Sequence, residues 1–139
     1  MKIVVLDGYT LNPGDLSWEP LQALGDCVIR DRTAPGELSA ALAGATIAVT
    51  NKAPLNTGTL EQARDLQLVA VTATGYNVVD VAAAAARDIP VSNVPAYSTA
   101  SVAQTVFAHI LNITQRIDLH ARAVADGHWA SAPDWTFWD

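Results

Sequence analysis

The feature that most constrains this chain is an alternation through its first ninety-odd residues. A short β-branched run is followed by a polar or glycine-bearing loop and then by a helical stretch. Ile3-Val4-Val5-Leu6 is continuously apolar, as a strand covered on both faces should be. Cys27-Val28-Ile29, Ile47-Ala48-Val49, Leu68-Val69-Ala70-Val71 and the short Pro90-Val91-Ser92 read the same way, with helices expected over 16–24, 36–43, 58–65 and 78–87. Gly25 and Gly44 stand where helix C-terminal glycines belong, and Asn56-Thr57 stands where N-capping side chains belong. Strand and helix alternating at this spacing argue for parallel βαβ units with right-handed crossovers. The expected fold is therefore α/β: a doubly wound parallel sheet in the order 2-1-3-4-5.

Composition excludes several partners. Half of the chain is hydrophobic and 16% charged, the opposite of a disordered segment. Lys and Arg number 8 against 14 Asp and Glu, a net charge of −6, and the two lysines are Lys2 and Lys52. No basic stripe exists to neutralise phosphates, so nucleic acid is not expected as a partner. The single cysteine, Cys27, can form neither an internal disulfide nor a multi-cysteine zinc site, and a reduced cytoplasmic protein is the expectation. Residues 1–6 are too short an apolar run for a signal peptide, and no apolar stretch is long enough for a membrane span.

A different regime starts at Asn93-Val94-Pro95. The segment 99–125 carries Val102, Val106, Ile110, Ile113, Ile117 and Val124 at helical spacing. One helix of that length would run roughly 40 Å, against a radius of gyration of about 13 Å for a compact domain of that class. It is expected to reach past the sheet and pack on something else. Trp129, Trp135 and Trp138, with Phe137, make an aromatic tail holding three of the four tryptophans.

In an open parallel sheet, ligands bind beyond the carboxyl ends of the strands, where strand order reverses. The loops there are Asp7-Gly8-Tyr9, residues 50–54 (TNKAP) and residues 72–77 (TATGYN). Gly75 would let backbone N–H groups approach a ligand. A helix starting near Val78, with Asn77 as N-cap and Asp80 in its first turn, would add free donors. That arrangement suits a small carboxylate, with Lys52 as counter-charge. The plainer alternative stays open: Gly75 makes a tight turn, Asn77 and Asp80 cap, and Lys52 is solvated.

Other candidates are weaker. Cys27 lies in an apolar strand, where free thiols are usually inert. His109, His120 and His128 lack the spacing of a metal site, and no metal is expected. Asp7 stands where receiver domains carry acidic residues, but the remaining positions of that pocket read Gly8, Asn51 and Ser92-Asn93. The glycines, at 8, 14, 25, 36, 44, 58, 75 and 127, permit neither G-x-G-x-x-G nor a Walker loop.

Residues 72–80 (TATGYNVVD), 89–95 (IPVSNVP) and 97–104 (YSTASVAQ) resemble the D-isomer-specific 2-hydroxyacid dehydrogenases. The opening MKIVVLDGYTLNPGDLSW, the segment TNKAPL at 50–55 and the tail DGHW…PDWTFWD are most similar to the glycerate dehydrogenase and hydroxypyruvate reductase branch. The resemblance covers the whole chain. It implies a flavodoxin-like substrate domain, split in complete enzymes by an inserted Rossmann domain that binds NAD or NADP. It also implies that backbone N–H groups around Thr74, Gly75 and Tyr76 hold the substrate carboxylate and that Lys52 borders the substrate. Asn93-Val94-Pro95 would be the first interdomain crossing, and Thr105 falls where some members touch the nicotinamide ribose or ring.

The family's glycine motif, its substrate-binding Arg and the Glu and His of its acid–base pair would all lie beyond the point equivalent to Asp139. No catalytic residue is therefore expected within the chain. Residues 1–97 are expected to form the substrate-binding domain, and 98–139 an interdomain helix and aromatic tail opening a cofactor domain. The functional expectation is the substrate-binding portion of an NAD(P)-dependent oxidoreductase acting on a small D-2-hydroxy acid, inactive alone and binding no cofactor tightly. It is expected to associate into a homo-oligomer through helix 99–125 and the tail. The rival expectation is a stand-alone binding or assembly module built on that same helix and tail.

Overall fold

The computed structural model describes residues 1–134. Strands β1 (Lys2–Val5), β2 (Asp26–Ile29), β3 (Ile47–Thr50), β4 (Leu68–Val71) and β5 (Val91–Ser92) form one parallel sheet in the order β2-β1-β3-β4-β5, as the alternation dictates. Register is set by apolar pairing along the central strands: Ile3 lies opposite Cys27 and Ile47, Val4 opposite Val28 and Ala48, and Val49 opposite Ala70. Successive side chains leave a strand on opposite faces, so each central strand feeds two cores. Val4, Leu6, Ala48, Val69 and Val71 pack with Leu38, Leu42, Leu55 and Leu60 on one side. Ile3, Val5 and Val49 pack with Trp18, Leu21 and Ile29 on the other.

Helices α1 (Glu19–Gln22), α2 (Leu38–Ala41), α3 (Thr57–Gln62) and α4 (Val81–Ala85) fill the crossovers, each shorter than the apolar pattern suggests. A 3₁₀ turn over Pro35–Glu37 takes up the start of the second. Asn56 caps α3 as expected, its side chain accepting from the Thr59 amide. Gly44 has the positive φ of +70° that a helix-terminating glycine needs, whereas Gly25 serves another purpose. A Cβ at Gly25 would sit 2.6 Å from the Met1 carbonyl oxygen, so close backbone approach excludes any side chain there. Strand β2 also departs from expectation. It lies at the sheet edge, where the expected order puts it, but it is not covered on both faces as its apolar run suggests, and Val28 is 40% exposed.

The chain divides into two compact units, Met1–Ala96 and the residues from Tyr97 onward. The second unit contains α5 (Thr99–Gln115), α6 (Ile117–Ala125) and α7 (His128–Ser131). The single helix expected over 99–125 is broken at Arg116, which adopts φ 46°, ψ 42°. A left-handed residue interrupts the i→i−4 ladder and costs a non-glycine side chain roughly 1–2 kcal/mol. The ladder restarts where the His120 amide donates to the Arg116 carbonyl. Asp118 in the first turn of α6 suits the helix dipole, and it pairs with Arg122 at 3.3 Å. Gly127, at φ +81°, turns the chain into α7. Trp135, Phe137 and Trp138 of the expected aromatic tail lie outside the described residues.

Candidate functional site

The chain leaves β1, β3 and β4 at one end of the sheet, so the loops that follow these strands are neighbours. Thr50 pairs with Val71, and the Thr72 amide donates to the Thr50 carbonyl at 2.9 Å. The loop after β3 is held from beneath by Asp7. Its carboxylate accepts the backbone N–H groups of Asn51 (2.9 and 3.1 Å), Lys52 and Ala53 (2.9 Å). The Thr50 hydroxyl donates to the Ala53 carbonyl at 2.9 Å, closing the turn. Asp7 is only 6% exposed and Thr50 is fully buried, whereas the Lys52 side chain is exposed. Three consecutive amides converging on one carboxylate form an anion nest filled from within the protein.

The loop after β4 has the opposite character. Thr74, Gly75, Tyr76 and Asn77 are all exposed. Among the described residues, no protein group accepts from the amides of Thr74, Gly75 or Tyr76. The loop is nonetheless fixed at both ends. The Asn93 side-chain amide donates to the Thr74 carbonyl at 2.8 Å, and the Thr74 hydroxyl donates to the Val94 carbonyl at 3.0 Å. Beyond it, the Leu55 amide donates to Val78 and the Asp80 amide donates to Leu55, a short bridge between Leu55 and Val79.

Part of the helix-start expectation is corrected here. Helix α4 begins at Val81 rather than near Val78, and its cap is Asp80 rather than Asn77. The Asp80 carboxylate accepts from the Ala83 amide at 3.0 Å and from the Thr57 hydroxyl at 2.7 Å. Those bonds hold its carboxyl below the ordinary value, the Ala83 amide contributing most. The donors at the start of α4 therefore face the protein's own carboxylate, and the loop amides are what remains for an external anion. Gly75 does not have a positive φ, so its use is proximity rather than torsion.

A cavity of about 260 Å³ opens at the same end of the sheet, lined by Asp7, Thr10, Arg32, Thr33 and Lys52 among others. The Arg32 guanidinium lies 5.1 Å from the centroid of the Tyr9 ring, and the Thr33 hydroxyl donates to the Leu6 carbonyl at 2.6 Å. Burial, with the neighbouring Asp26 charge second, pushes the Cys27 thiol up, which keeps it protonated and poorly nucleophilic. Among the described residues no three His, Cys, Asp or Glu side chains gather in a way that would hold a metal ion.

The first βα turn tests whether this chain can cradle a dinucleotide. Its amides are engaged by protein: Gly8 donates to Arg30, Tyr9 to Asp31 and Thr10 to Asp7. A Cβ at Gly8 would meet the Ile29 side chain at 3.0 Å, so that glycine serves packing rather than phosphate approach. Thr105 lies within α5, where its hydroxyl donates to the Ser101 carbonyl at 2.9 Å. The β1 turn therefore offers no free amides to a dinucleotide phosphate.

Sequence reading places Asp7 in a ligand-end loop of the sheet and considers a receiver pocket for it, but does not reveal it as the anchor of the Lys52 loop. The usable signal was an acid at the end of a central strand with no cation in reach by sequence, facing a neighbouring loop rich in free amides. The clamp on Thr74 from Asn93 and Val94 was also missed, since side chain-to-backbone bonds across strands leave no periodicity.

The profile of the D-isomer specific 2-hydroxyacid dehydrogenase catalytic domain matches residues 3–131. The hydroxypyruvate reductase of Blautia hydrogenotrophica is 49% identical over 142 residues, an alignment covering all of this chain and 44% of that protein. The glycerate dehydrogenase of Methylorubrum extorquens is 38% identical over 105 residues, 76% of this chain and 33% of its own length. Among solved structures, an acyclic imino acid reductase in complex with NADPH and D-Arg superposes with a TM-score of 0.80 at 25% identity, over 99% of this chain and 45% of that one. D-2-hydroxyisocaproate dehydrogenase shares the fold, with a TM-score of 0.74 at 18% identity over 99% of this chain and 42% of that one. The chain thus spans less than half the length of these relatives. With its strand order, its carboxyl-end loops and a profile match over nearly all its residues, the chain belongs to the D-isomer-specific 2-hydroxyacid dehydrogenases.

Proposed function

We propose that this chain supplies the carboxylate-binding side of an NAD(P)-dependent oxidoreductase acting on the CH–OH group of a small D-2-hydroxy acid of the glycerate, hydroxypyruvate or glyoxylate type. The observation that carries the reading is the run of exposed amides at Thr74, Gly75 and Tyr76, without protein acceptors, beside the loop that presents Lys52. A carboxylate accepts several N–H bonds at once, and charge-assisted bonds to it are stronger than neutral ones. Lys52 adds a compact positive charge on a flexible stem at the carboxyl ends of adjacent strands. The names of two relatives, a hydroxypyruvate reductase and a glycerate dehydrogenase, support this substrate class.

The role of these residues is binding and orientation. By resemblance, proton and hydride transfer is not assigned to these residues, and Thr105 stands where some family members touch the nicotinamide ribose or ring. Residues 1–139 taken by themselves bind a 2-hydroxy acid weakly and do not oxidise it. Purified chain mixed with NADH and hydroxypyruvate or glyoxylate should show no absorbance loss above blank, and steady turnover would contradict this. A cytoplasmic location belongs to the same reading, and among the described residues no helix is long and apolar enough to cross a membrane.

A homo-oligomeric state is part of the proposal on a separate observation. Helix α5 has no buried residue, and Val102, Val106, Phe107, Ile110, Leu111 and Ile113 are all exposed. A contiguous apolar surface of this kind marks an interaction face.

A further inference from the structure

We propose that Asp7 is a positioning residue for substrate binding: by holding the amides of residues 51–53 it fixes where the Lys52 ammonium stands. The inference rests on the reading of Lys52 as a carboxylate contact and deepens it.

Two loops leave neighbouring strands at the same end of the sheet, and their backbone amides are used differently. The amides of Asn51, Lys52 and Ala53 all point at the Asp7 carboxylate, while those of Thr74, Gly75 and Tyr76 meet no protein acceptor among the described residues. Asp7 thus withdraws the first loop's backbone from any contest for an external anion and leaves the task to side chains, of which Lys52 carries the positive charge. The anchor is also stiff. Asp7 is 6% exposed, its neighbour Thr10 donates its hydroxyl to the Asp7 carbonyl at 2.8 Å, and Thr50 locks the far side of the turn through Ala53. A lysine side chain has many rotamers to lose, so a fixed backbone beneath it reduces what remains to be ordered when a carboxylate binds. A carboxylate is required at residue 7. It accepts three N–H groups without offering a donor, whereas an asparagine there would turn an NH₂ group toward at least one of them.

The test is a double-mutant cycle read by amide NMR titration with D-glycerate, using the wild-type chain, Asp7→Asn, Lys52→Met and the double variant. Asp7→Asn should weaken binding at least fivefold in the presence of Lys52 and less than twofold in the Lys52→Met background. A merely structural role would lower affinity equally in both backgrounds, and that result would overturn the proposal. Asp7→Asn binding as tightly as wild type would overturn it as well. If Asp7→Asn does not fold, Asp7→Glu replaces it. That variant keeps the carboxylate but displaces the loop, so it should retain slow hydrogen exchange at residues 51–53 and still bind several-fold more weakly through Lys52. Full affinity in Asp7→Glu would then defeat the proposal. The two layers fail differently. Wild-type chain that does not bind, or Lys52→Met that binds like wild type, defeats the site reading and the inference with it. A clear Lys52 effect without an Asp7 effect defeats the inference alone.

Discussion

Asp80 ties three parts of the chain together: its backbone amide donates to the Leu55 carbonyl, and its carboxylate accepts from the Ala83 amide and the Thr57 hydroxyl. Because the folded state holds this carboxyl below 3.8, its stabilising contribution is present above that pH and is lost as pH falls through the folded value. Asp80→Asn keeps a capping oxygen but removes the titration. The stability difference between wild type and Asp80→Asn should therefore shrink as pH is lowered below 3.8, measured by urea denaturation; a constant difference would contradict the assignment. Gly75 gives a second residue-level expectation. Its φ is ordinary, and a Cβ would meet only the Asn77 side-chain oxygen at 3.4 Å, so substitution should leave the fold intact. Gly75→Val should instead block a carboxylate from the neighbouring amides and abolish D-glycerate binding. Wild-type affinity in a folded Gly75→Val chain would remove this loop from the site.

At the scale of elements, the cap of α3 is the simplest case. Asn56→Ala removes the acceptor for the Thr59 amide and should cost about 1 kcal/mol in chemical denaturation. Leu60, in the same helix and fully buried, should cost about 2–5 kcal/mol on truncation to alanine. Equal losses for the two variants would mean that packing does not dominate this helix. The sheet was legible because β1, β3 and β4 are covered on both faces and leave unbroken apolar runs. The composition of edge strand β2, Cys27-Val28-Ile29, resembles that of a central strand, so its half-exposed face leaves no mark in the sequence. The breaks were less legible. Arg116 ends α5 in a left-handed conformation with neither glycine nor proline to mark it, and the periodicity of Ile113 and Ile117 runs straight across. Helix α4 starts at Val81, with Asp80 rather than Asn77 as its cap, because residues 76–79 close a separate turn, the Val79 amide donating to the Tyr76 carbonyl, and Val79 is held by its bridge to Leu55, a contact distant in sequence. Of the candidate site, loop positions followed from strand order, but the Asp7 anchor and the Asn93 clamp depend on three-dimensional neighbours that no local pattern encodes.

For the whole molecule, two compact units carry different expectations. Met1–Ala96 has the sheet, both cores and the candidate site; the unit from Tyr97 onward has a helix with no buried residue. Exposed Phe107, Ile113 and their neighbours should drive association, and light scattering at micromolar concentration should report a mass above 14.7 kDa. A clean monomer would set aside the oligomer and also weaken the reading of α5 as an interaction face. The central claim concerns the first unit, that its β4 loop receives a carboxylate from backbone donors with Lys52 beside it. Titrating D-glycerate into ¹⁵N-labelled chain tests this directly. Saturable shifts should concentrate at the amides of Thr74, Gly75 and Tyr76, with a smaller response at Lys52, and no shifts there at millimolar ligand would contradict the account.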